Sequence, residues 1–73
     1  MNYVEVYKTV LDFHRKHSSI LNTDEYWDSV VSESDSIAKK YDNCRFVRDL
    51  LLAVINELER KVKEMKANAD TAV

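Results

Sequence analysis

The sequence predicts an all-α protein: a compact three-helix bundle with a long C-terminal helix, assembled into a homo-oligomer. Three observations carry that expectation. The 73 residues include no glycine and no proline, which nearly excludes tight β-turns, Gly-rich phosphate loops and strand-rich folds. Apolar residues recur at spacings of three and four along three segments, the mark of amphipathic helices. The third segment carries more apolar surface than two neighbouring helices can cover. A chain this short also sits near the lower limit for a self-sufficient core, where disulfides, a metal or a partner usually help. Cys44 is alone and no Cys/His cluster has zinc spacing, so no metal or cofactor is expected and self-association remains.

The first helix is expected over residues 3–17. Tyr3, Tyr7, Val10, His14 and His17 fall at alternating spacings of four and three, and Val4, Val6, Leu11 and Phe13 widen the stripe. Ser18, Ser19 and Asn22 break it, with Ile20 and Leu21 folding back over the core. The second helix is expected over 24–41. Asn22 or Thr23 can cap it, Asn22 and Glu25 have capping-box spacing, and acids precede lysines along it as the helix dipole favours. Its buried face is read as Trp27, Val30, Val31, Ser34, Ile37, Ala38 and Tyr41, and its solvated face includes Asp28, Glu33 and Asp35.

Asp42-Asn43 makes the next break, and a third helix is expected over 44–68. Val47, Leu50, Leu51, Val54, Leu58, Val62 and Met65 form its seam. From Phe46 to Leu58, nine of 13 residues are apolar, and that surplus points to Phe46, Leu52, Ile55, Val62 and Met65 as an oligomer interface. Residues 1–68 then form one domain, with 69–73 as a loose tail.

Charge and hydropathy narrow the function classes. Net charge is −2, which does not favour nucleic acid, and a recognition helix beginning DNCRFVRDLLL is too apolar for a helix-turn-helix. No apolar run approaches the roughly 20 residues needed to cross a membrane. The lone thiol fits a reducing, cytoplasmic setting. Cys44 beside Arg45 lacks the base and oxyanion site that a nucleophile requires, so no enzyme activity and no catalytic residue is expected.

Arg45 and Arg48 stand out, because cations in a helix's first turn oppose its dipole. Local pairing with Asp42 and Asp49 would explain them. Two guanidinium forks beside free backbone N–H groups would also suit a phosphate or carboxylate. Tyr26, Trp27 and Tyr41 could stack on a planar ligand, with His14 and His17 as secondary contacts. The five acids between Asp24 and Asp35 read as a solvated face or as a surface for a basic partner.

FHRKHSS, DEYWDSV and NCRFVRDLLLAVINELER resemble segments of short uncharacterised proteins of prophages and mobile elements in Gram-positive gut bacteria. The resemblance spans residues 10–62 and rests on Phe13, His14, His17, Ser18, Tyr26, Trp27, Phe46, Leu50, Leu51, Ala53, Val54, Glu57, Leu58, Glu59 and Arg60. Many members carry N-D-P where this chain has Asn43-Cys44-Arg45, so Arg45 is not implied by it. The resemblance implies a phage-type setting inside an infected or lysogenic cell and supplies no catalytic residues. The expectation is a non-enzymatic accessory, anti-defence protein: a helical oligomer sequestering a phosphate-bearing nucleotide signal between subunits. The alternative is an interaction module that binds and blocks a host protein.

Overall fold

Three helices, α1 (Tyr3–Lys16), α2 (Asp24–Lys40) and α3 (Arg45–Thr71), build the protein in this computed structural model. The structure describes the backbone of residues 1–71 and the side chains of residues 1–65. No strand occurs among the described residues, and no helix there is long and apolar enough to cross a membrane. Helix α3 continues to Thr71, past the expected end at 68, so residues 69–71 of the expected tail are helical, and residues 72 and 73 lie outside the described residues.

Helices α1 and α2 each start where a side chain accepts a hydrogen bond from the first turn. The Glu5 backbone N–H donates to Asn2 Oδ1 at 3.1 Å. The Tyr26 N–H donates to Thr23 Oγ1 at 3.2 Å, so Thr23 is the cap of α2 and the Asn22–Glu25 capping box is not made. Glu5 at one start, and Asp24 and Glu25 at the other, place anions where the dipole favours them.

One stripe from each helix fills the core: Val6, Val10 and Phe13; Val30 and Ala38; Val47, Leu51 and Leu58. On α1 the seam therefore runs Val6–Val10–Phe13–His17, one position away from the expected Tyr3–Tyr7 line. Tyr3 and Tyr7 are more than half exposed, as are Leu21 and Val31, which the sequence pattern had placed inside. The reason is directional. A helical side chain leans toward its N-terminus, and the β-branched or compact residues at 6, 10 and 30 fit the close approach of three helices.

The α2–α3 corner replaces glycine with two left-handed residues. Asp42 and Asn43 have φ of 57° and 56°, a region that short polar side chains tolerate best after glycine. The reversal lets the Asn43 N–H donate to Ala38 O at 2.7 Å and the Asp42 N–H to Lys39 O at 3.1 Å, occupying carbonyls that the helix end would leave open. Asn43→Val is expected to cost about 1–2 kcal/mol, since a β-branched residue resists this conformation. Asn43→Gly should be close to neutral. Urea unfolding of the two variants checks both.

Candidate functional site

Arg45 and Arg48 lie on the wall of an open depression of about 560 Å³ between α2 and α3. Its floor includes Ala38 and Leu51, and Asp35 and Asp49 share its rim with the arginines. Arg45 is 93% exposed and its Nε sits 3.8 Å from the Asp49 carboxylate, so solvent largely screens the pair. Two carboxylates against two guanidiniums leave the depression nearly neutral. An anion would find donors here and little net attraction.

The other end of the bundle is built around His17. This residue is only 5% exposed, and its Nε2 lies 2.7 Å from Glu33 Oε2. Lys16 Nζ reaches the same oxygen at 3.3 Å. Burial alone would raise the Glu33 carboxyl, but hydrogen bonds from His17 and Lys16 outweigh it and hold the group below the usual range. The Tyr26 hydroxyl donates to His17 O at 2.5 Å, and burial pushes that phenol up. Phe13, His17, Tyr26 and Trp27 then meet edge to face at centroid distances of 5.1, 5.9 and 4.9 Å. Glu33 thus belongs to the α1–α2 contact, not to the solvated face read from the sequence. The α2 acids left facing solvent include Asp24, Glu25, Asp28 and Asp35.

These geometries divide the expected ligand set. Tyr26 and Tyr41 are 15 residues apart on one helix, which at 1.5 Å per residue is about 22 Å. Tyr26, Trp27 and His17 therefore sit at the opposite end from Arg45 and Arg48. Tyr41 shares a 3.2 Å hydrogen bond with Thr9 and donates to Glu5 Oε1 at 3.4 Å, so its polar edge is spent on α1. His14 and His17 turn to different helices, His14 lining an apolar recess with Glu57, Lys61 and Met65 of α3. One chain brings the arginines together, keeps Tyr26 and Trp27 at the far end, and commits the Tyr41 hydroxyl to α1.

No family model, no curated protein and no solved structure matches the chain.

The expected interface residues also separate. Phe46 packs edge-on against Tyr3 and Tyr7, at 5.4 and 5.8 Å, within the same chain. Met65 belongs with it on the α1 side of α3, whereas Leu52, Ile55 and Val62 open toward α2. Two faces exist where the sequence reading had one. Their signals were present as Val4 and Leu11 seven apart, and Asp28, Val31 and Asp35 at spacings of three and four. Both were absorbed into over-wide stripes.

Proposed function

We propose that the protein is a non-enzymatic interaction module whose contact surface is the outer face of α1. The observation that carries this reading is where the exposed apolar side chains collect. Nine large hydrophobics are more than half exposed among the described residues, and Met1, Tyr3, Val4, Tyr7 and Leu11 supply five of them. Val4, Tyr7 and Leu11 lie at i, i+3 and i+7, one continuous helix face. Contiguous exposed apolar surface on a small protein marks a contact site more often than chance scatter does. In the phage-type setting that the sequence resemblance implies, the partner would be a host protein, covered and blocked by this face. Catalysis gains no comparable support, because His17, paired with Glu33, is buried between helices, away from any substrate.

Affinity capture from host extract tests the reading, using the wild type beside Leu11→Glu with helicity matched by circular dichroism. One protein held in equal stoichiometry by the wild type and lost from the variant is the expected result. Equal capture by both would refute it.

Nucleotide sequestration stands as a second reading, favoured by Arg45 and Arg48 sharing one depression. It needs a neighbouring subunit to bring a stacking aromatic to them. Thermal shift with cyclic and ADP-ribose-type nucleotides tests it. A rise in melting temperature that Arg48→Ala abolishes supports it, and no shift with any of them rejects it.

A further inference from the structure

Filling the core leaves one stripe unused on each of α2 and α3. On α3, Arg45, Arg48, Leu52, Ile55, Glu59 and Val62 recur at spacings of three and four, and on α2 Asp24, Asp28, Val31 and Asp35 do the same. Such alternation is the spacing of a helix–helix seam. Val31 is 52% and Leu52 56% exposed, and Ile55 and Val62 are half-buried. Asp35 borders the groove between α2 and α3, and helical spacing puts Asp24, Asp28 and Val31 on the same face of α2. Asp35 lies level with Arg48 at one end, where they line the same depression. Trp27 lies level with Glu59, Val62 and Lys63 at the other, lining a second depression of about 370 Å³. Val31 stands midway on α2.

The two walls differ in charge. The α2 stripe carries three carboxylates and no cation, while α3 presents Arg45, Arg48 and Lys63 against Asp49 and Glu59. A surface acidic along one wall and net basic along the other is complementary to itself when rotated about the groove.

We propose that this groove docks a second copy of the chain about a two-fold axis running along it, so that α3 of each subunit lies on α2 of the other. The rotation keeps each residue at its own level and exchanges the walls. Arg48 then meets the partner's Asp35, Lys63 meets the partner's Asp28 beside Glu59, and Val31 is covered by the partner's Leu52 and Ile55. Every helix in the resulting four-helix seam runs antiparallel to its neighbours, which opposes their dipoles favourably. Arg48 in the first turn acquires a reason: the anion that offsets it comes from the other subunit, while Arg45 pairs with Asp49 of its own chain.

Sedimentation equilibrium of the full chain tests this. The wild type should sediment at twice 8.6 kDa at micromolar concentration. Arg48→Glu and Asp35→Arg should each weaken self-association by about tenfold or more, since each sets like charges across the contact, with helicity unchanged. An equimolar mixture of the two variants should regain the dimer mass, because both cross-subunit pairs are then opposite in sign. Leu11→Glu should leave the mass alone, which separates this seam from the α1 face. A wild type that stays at 8.6 kDa, a mass beyond the dimer, a dimer indifferent to both charge changes, or a mixture that stays monomeric would each overturn the proposal.

Discussion

Replacing Phe13 with alanine is expected to remove about 3–5 kcal/mol of folding stability, the usual range for deleting a buried phenylalanine. Phe13 is 1% exposed and is the largest of the fully buried side chains. It joins the α1 seam to the His17 ring at 5.1 Å, so its loss opens a void beside that ring. A domain of this length holds about 4–11 kcal/mol in total, at roughly 0.05–0.15 kcal/mol per residue. The variant should therefore be partly or wholly unfolded at 37 °C. Urea denaturation followed by circular dichroism measures it, and a loss below about 1 kcal/mol, far under the usual range for such a deletion, would mean that α1 packs by a different face.

His17→Ala is expected to be the next most damaging change. It removes a 2.7 Å hydrogen bond to a carboxylate, worth about 1.5–3 kcal/mol for a charged partner, and leaves Glu33 facing the α1–α2 contact with only Lys16. A pH signature distinguishes this from simple loss of packing. The Glu33 carboxyl is held below its ordinary value of 4.5 in the folded protein, so the unfolded chain binds a proton there more readily. Its contribution is fully present above that ordinary value and is lost as pH falls through the lower, folded one. Wild-type stability should drop across that acid range more steeply than that of Glu33→Gln, which has nothing to titrate at this position. Parallel acid-denaturation curves for the two proteins would contradict the pairing.

Local rules made the helices legible in advance. Caps, acids at helix starts, and three- and four-residue spacing place α1 and α2 within a residue of their observed ends, and Asp42-Asn43 marks the corner. Side-chain direction was less legible, because stripes wider than one contact offer several rotations. On α1 the Tyr3–Tyr7 line and the Val6–Val10 line are equally periodic, and only packing against two other helices selects the second. Partners distant in sequence were not legible at all. Glu33 looks like one solvated acid among five until α1 brings His17 against it. The candidate site divided for a similar reason: Trp27 lies in the first turn of α2 and Arg45 begins α3, just past the other end of α2. The surplus apolar surface was visible, yet its division into an α1 face and an α2–α3 groove required the fold.

On the proposed reading, the α1 face meets a foreign protein and the α2–α3 groove a second copy. The most direct measurement is side-by-side capture of a partner from host extract by the wild type, Leu11→Glu and Arg48→Glu, each confirmed as helical. The wild type and Arg48→Glu are expected to hold the same partner, whereas Leu11→Glu should lose it. Capture that survives Leu11→Glu, or that fails with Arg48→Glu alone, would contradict that reading.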